Sequence, residues 1–178
     1  MATLHHNISG EITQELLAPG DNVKVSRISL TNTQKVSKCK VDLYIEKKLF
    51  DVDESHKGRF YLVKGVELPI GATLIYDNAV RFNNAFGEFG LYIKLTDGAT
   101  FTLTGSIDPI ADATITGVNT LFLSEVSVGD EIVVSSETRT VASIASDTEL
   151  EVTVATTNTA NDTSPDCNPT ALVDVIIM

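Results

Sequence analysis

The segment Cys39 to Lys47, CKVDLYIEK, places Cys39, Val41, Leu43 and Ile45 at alternate positions, with Lys40, Asp42, Tyr44 and Glu46 between them. Successive side chains on a strand point to opposite faces, so a period of two specifies a strand with one buried face. The pattern recurs in NVKVSRISLTNT, in FYLVKGVEL and in GLYIKLTD, where Leu91, Ile93 and Leu95 share one face. Turn residues punctuate the runs, as at Pro69 and Gly71, and LTNTQKVSK reads as a hairpin connector. No helical period competes with this alternation. Hydrophobic residues make up 43% of the chain, enough for a real core, and Val, Ile and Thr, which suit a pleated surface, carry much of it. The expectation is an all-β protein whose first region is an antiparallel β-sandwich.

A second strand-rich region follows Gly98. LFLSEVSVGDEIVV, RTVASIAS and SDTELEVTVA read as three short strands with tight turns, a β-meander with no helix. Gly129 supplies an unusual backbone angle, and the Asp130 side chain caps the turn. With flanking strands the meander closes into a small barrel, which leaves no free edges. Val126 and Val128 lead into the Gly129-Asp130 turn and Ile132, Val133 and Val134 follow it; Val141 and Ile144 are expected inward, and Leu150, Val152 and Val154 share one face, opposite Glu149, Glu151 and Thr153. NTANDTSPDCNP reads as a linker by composition, and ALVDVIIM as a strand. That strand pairs either with the sandwich of its own chain or with a neighbouring subunit. The return is preferred, because intramolecular closure costs less entropy. The expected boundaries are residues 1–97 for the sandwich, completed by 170–178, then 98–157 for the barrel and 158–169 for the linker.

Charge separates the two regions. Residues 1–97 hold twelve Lys or Arg and twelve Asp or Glu, whereas residues 98–178 hold one base, Arg139, and twelve acids, the whole of the net −11. Such a distribution argues against nucleic acid, which needs clustered cations. It fits a surface facing water or a basic partner. MATLHHNISG has no signal-peptide pattern, and no stretch approaches the roughly 20 apolar residues of a membrane span. The expected compartment is a cytoplasm, and Cys39 is expected to be a buried free thiol rather than half of a disulfide with Cys167.

Chemistry-bearing motifs are few. His5 and His6 are adjacent on a strand pattern, so they face opposite ways and make no metal site; a frayed terminus accounts for them. DVDESHKG places Asp51, Asp53 and Ser55 as a calcium loop would, but His56 stands where the glycine belongs and Leu62 where the bidentate Glu belongs. Glu149 and Glu151 share a strand face; a glycosidase uses two carboxylates but needs a cleft, and a chain this short with no Trp offers little for stacking sugars, so a solvated face is preferred. No nucleophile elbow, zinc-protease motif or phosphate loop occurs. The expectation is no catalytic, cofactor or metal site. Lys35, Lys38, Lys40, Lys47 and Lys48 cluster in sequence around one hairpin. They read equally as a docking patch for an acidic partner or as a lysine-decorated strand edge that blocks aggregation.

RISLTNTQKVSKCKVDLYI followed by FYLVKGVELPIGATLIYD resembles a β-sandwich module of tailed-bacteriophage virion proteins, from phages of marine bacteria and cyanobacteria. TITGVNTLFLSEVSVGDEIVVSSETRTVASIASDTELEV resembles a small β-barrel module of phage capsid and tail proteins. Its marks are T-G-x-x-T-x-F, V-G-D and an R-T-V-x-x-I-x-S-D-T-x-L run, with L-F-L-S departing from the usual polar filling. The resemblance implies a non-enzymatic virion structural protein, assembled in the host cytoplasm as a homo-oligomer with other virion proteins as partners. Capsid decoration or cementing is the leading role, with the sandwich binding the shell and the barrel projecting. A neck, collar or tail-attachment component is the alternative, followed by a receptor- or glycan-binding module.

Overall fold

A computed structural model describes residues 3–48, 57–84 and 89–178. The chain is all-β, with antiparallel sheets throughout. In order, the strands are β1 (Leu4–Ser9), β2 (Thr13–Leu17), β3 (Lys24–Asn32), β4 (Cys39–Lys48), β5 (Lys57–Leu68), β6 (Thr73–Asn83), β7 (Phe89–Thr96), β8 (Phe101–Thr102), β9 (Ser106–Ile107), β10 (Thr114–Val118), β11 (Glu131–Val134), β12 (Glu137–Ser146), β13 (Glu149–Val152), β14 (Asp166–Asn168) and β15 (Leu172–Ile177). One helical turn, α1 (Phe122–Glu125), interrupts them. It corrects the helix-free reading of that stretch. Phe122 is fully buried there, and the turn is the shape that seats it.

The strands form two compact units. The first comprises Met1–Thr33, Lys38–Thr96 and Ala171–Met178; the second comprises Gln34–Ser37 and Asp97–Thr170. The first unit has two four-stranded sheets, ordered β1-β15-β3-β6 and β2-β7-β4-β5. Their inward rows meet in one core: Ile28 and Leu30 of β3 and Val173 and Val175 of β15 from one sheet, Leu43 of β4 and Ile93 of β7 from the other. The strand β15 lies between β1 and β3 of its own chain. The expected hairpin between β3 and β4 does not form, because the two strands lie in different sheets. The intervening Gln34–Ser37 belongs to the second unit. The polar residues that suggested a turn are used otherwise, as described below for Gln34.

In the second unit, seven strands run β8-β14-β11-β12-β13-β10-β9. The meander β11-β12-β13 is present, but Val154, expected on the face of Leu150 and Val152, is exposed. β13 ends at Val152, so Val154 lies beyond the alternation. The short strands β8 and β9 lie at opposite ends of the sheet order yet are only three residues apart in sequence, so one kinked segment supplies both ends. The core centres on Phe122, Ile115, Ile132, Leu150 and Cys167.

Residues 158–169 are not a linker. Strand β14 lies among them, pairs with β11 and β8, and buries Cys167 completely. Its polar composition serves a strained turn. Ser135 and Ser136, which join β11 to β12, have φ of 51° and 68°, the left-handed conformation of a two-residue hairpin turn that Asn or Gly more often supplies. Asp162 accepts the Ser135 N–H at 2.7 Å, Asn158 Nδ2 donates to the Ser135 carbonyl at 2.9 Å, and the Ser135 hydroxyl donates to the Ala160 carbonyl. Composition alone cannot separate side chains that solvate a linker from side chains that clamp a turn.

Candidate functional site

The even-numbered row of β4 faces away from the first unit's core, and the strand registers build a cluster on it. Tyr44 lies opposite Tyr92 of β7 on one side and Tyr61 of β5 on the other; Tyr92 in turn lies opposite Glu15 of β2. One rung across four strands therefore reads Glu15-Tyr92-Tyr44-Tyr61. The Tyr44 and Tyr92 rings stack, with centroids 5.7 Å apart and 18° between planes. Tyr44 and Tyr61 are tilted at 5.4 Å. The Arg59 guanidinium sits 4.3 Å from the Tyr44 centroid and reaches Glu46 at 3.3 Å. Lys64 Nζ lies 4.8 Å from the Tyr61 centroid. Both cations are within the reach of a cation–π attraction.

These neighbours leave Tyr44 only 2% exposed although it points away from the core. Burial pushes its phenol up, with Arg59 opposing. Gly90 lies two residues before Tyr92, and a Cβ there would come within 2.6 Å of the Tyr92 ring, so the absence of a side chain lets that ring lie down against the sheet. The Tyr92 hydroxyl donates to Glu15 at 2.6 Å, and this bond, aided by burial, pushes its pKa up to about 12. Glu15→Gln removes the charged acceptor. Spectrophotometric titration of the variant should therefore show Tyr92 returning toward its ordinary 10.0. The raised folded value contributes stability below the unfolded value, lost as pH rises through the folded one.

No family model matches the chain, and no curated protein or solved structure matches it.

The site is accordingly read from its chemistry. Glu15 and Glu46 are engaged, one by the Tyr92 phenol and one by Arg59, and Tyr92 keeps its proton across neutral pH. Tyr61 remains 39% exposed and the Arg59 side chain 48% exposed, the two residue types over-represented among energetic hot spots of interfaces. A sugar ring has no free Tyr44 face on which to stack, since Arg59 covers it.

The five lysines do not converge. Lys35 belongs to the second unit and the other four to the first. Lys38 pairs with Glu67 at 2.8 Å and holds that carboxyl below its ordinary range; Lys40 lies opposite Glu67 on the same outer row. Lys47 lies on the other row, seven residues along, roughly 23 Å at strand rise, and Lys48 ends the strand. Nor is β4 an edge, since β7 and β5 flank it.

Among the described residues no group of three His, Cys, Asp or Glu is placed to hold a metal. Residues 49–56, with most of the DVDESHKG motif and His56, lie outside the described residues. Glu149 and Glu151 stand on an exposed row. His5 and His6 are not frayed: both lie in β1, paired with β15. His5 is exposed, and the His6 Nε2 is buried without a hydrogen-bond partner. Neither cysteine is in a disulfide, and both are buried.

Sequence reasoning missed two groups. The tyrosine rung depends on register shifts between β4 and β5 around Leu43, although Tyr44 was visibly on the outer row. The other is a buried carboxylate, Asp130, which reaches beyond its own turn. Besides the Ser127 N–H at 2.8 Å, it accepts Gln34 Nε2 at 2.8 Å and the Thr170 N–H at 2.9 Å.

Proposed function

We propose that this chain is a non-enzymatic structural protein of a tailed-phage virion, a capsid decoration or cement protein whose first unit docks on the shell through its tyrosine–arginine face. The observation that carries the docking reading is the Glu15-Tyr92-Tyr44-Tyr61 rung with Arg59 laid over it. Arg59 is held by Glu46 and the Tyr44 ring, and Tyr92 by Glu15, before any partner arrives, which lowers the ordering cost of binding. The virion context rests on the resemblance of the two sequence blocks. Charge supports a division of labour. Twelve acids against Lys35 and Arg139 leave the second unit at −10, whereas the first stands at −1. A near-neutral unit can approach a protein shell without long-range repulsion, while a strongly acidic one favours solvent.

The test is co-sedimentation with expanded empty shells of the encoding phage, with the bound copies counted. Wild-type protein should saturate the shell in hundreds of copies, and Arg59→Ala with Tyr61→Ala should weaken binding about 30-fold or more, as loss of a hot spot does. Failure of the wild-type chain to bind shells defeats the proposal. A stoichiometry near twelve copies per particle would move it to the neck or collar.

A further inference from the structure

The first unit has four sheet edges, and three are guarded against pairing. β2 carries Glu15 and a register shift beside it. β5 carries Arg59, Lys64 and Glu67, with two shifts. β6 carries Asp77, paired to Arg27, and its register breaks opposite Val25 to Arg27. Charges and bulges of this kind are how proteins keep edges from joining. The fourth edge, β1, is LHHNIS: no Lys, Arg, Asp, Glu or Pro, and an unbroken register with β15 from Leu4 to Ser9.

The ladder shows which groups are free. The Gly10 N–H donates to the Ala171 carbonyl, so the even residues of β1 bond to β15. The N–H and C=O groups of His5, Asn7 and Ser9 therefore point to the open side, where no strand pairs among the described residues. A shallow groove of about 320 Å³ runs beside them, lined by His5, His6, Asn7, Asp174, Val175 and Ile176.

We infer that β1 pairs antiparallel with β1 of a second copy, joining two first units into one continuous eight-stranded sheet. The second copy is the fitting occupant because the strand carries no Lys, Arg, Asp or Glu to oppose its own charge. Its unit is close to neutral, and a two-fold axis lets the same free groups serve as donors and acceptors on both sides. Odd residues must face odd residues. Placing Asn7 opposite its own copy sets His5 against Ser9 and Ile8 against His6, keeps like imidazoles apart, and forms about six hydrogen bonds. The groove beside the edge leaves room for the copy's outer-row side chains. This inference does not rest on shell docking; either can fail alone.

Sedimentation equilibrium and light scattering over a wide concentration range test it. The 178-residue chain should shift reversibly from 19.1 kDa to twice that mass. Asn7→Pro removes an outward N–H without touching the β15 ladder, and should leave a monomer with unchanged far-UV circular dichroism. Asn7→Cys should form a reducible covalent dimer under mild oxidant, since directly opposed residues lie within disulfide range and Cys39 and Cys167 are buried. A chain that stays monomeric at all concentrations, a dimer that survives Asn7→Pro, or a dimer that Asn7→Cys fails to cross-link would each overturn the inference.

Discussion

A chain ending at Thr170 should leave its first unit unfolded while the second keeps its structure. The missing strand, β15, is an inner strand, bonded to β1 on one side and β3 on the other. It buries Val173 and Val175 completely and Ile177 to 1% exposure. Burial of three such side chains is worth roughly 6 kcal/mol, before the loss of two backbone ladders. That already matches the lower end of the 5–15 kcal/mol, in round figures about 10, that holds an ordinary domain together. The second unit ends at Thr170 and loses none of its own residues. Amide spectra of the truncated chain should therefore retain dispersed signals for Asp97–Thr170 and lose them for β1, β3 and β6. Adding the peptide ALVDVIIM in trans should restore part of the loss. Two intact cooperative transitions in the truncated chain would contradict this account of the core.

Asp130→Ala should be the most damaging single substitution in the second unit, costing about 4 kcal/mol. Asp130 is completely buried, and its carboxylate is the shared acceptor for the Ser127 N–H, the Thr170 N–H and Gln34 Nε2. Each donor left buried and unmet costs about 1–3 kcal/mol, and the three are not independent. Asp130→Asn keeps one carbonyl acceptor and should cost about half as much. Chemical denaturation followed by amide signals of the second unit separates these variants.

The same residue gives a pH signature. Burial raises the Asp130 pKa above its ordinary 3.8, and the bonds from Thr170, Ser127 and Gln34 offset this only in part. A carboxyl whose folded pKa is raised binds its proton more tightly when folded, so its stabilising contribution is complete below 3.8 and is lost as pH climbs through the folded value. Relative to Asp130→Asn, wild-type protein should therefore lose stability as pH rises through that window. The opposite slope would mean that the hydrogen bonds outweigh desolvation.

The fold was legible where burial and period coincide. Leu91, Ile93 and Leu95 all reach the core, and so do Ile132, Val134, Leu150 and Val152. The return of ALVDVIIM followed from entropy alone. What escaped was decided by partners distant in sequence. The β1 strand has only Leu4 and Ile8 as apolar anchors, so it read as a frayed end; β15, some 170 residues away by the Asn7–Asp174 separation of 167, organises it. Gln34 read as a turn residue because nothing local shows that its amide meets Asp130. The candidate site was half visible. Alternation puts Tyr44 on the outer row, but only the shifted register of β5 brings Tyr61 to it, and only Gly90 lets Tyr92 lie flat. The five lysines were grouped by closeness in sequence, which a strand stretches to tens of ångströms.

The position of β15 also sets an order of events during synthesis. Translation delivers the other seven strands of the first unit, then Asp97–Thr170 of the second, before the strand that β1 and β3 enclose exists. The nascent N-terminal half must wait, with the β1-β15-β3-β6 sheet lacking an inner strand and the apolar row that strand brings to the core, for as long as the ribosome needs to make the intervening residues. A product cut short before β15 lacks the strand that joins β1 to β3, so it cannot pass for a finished first unit.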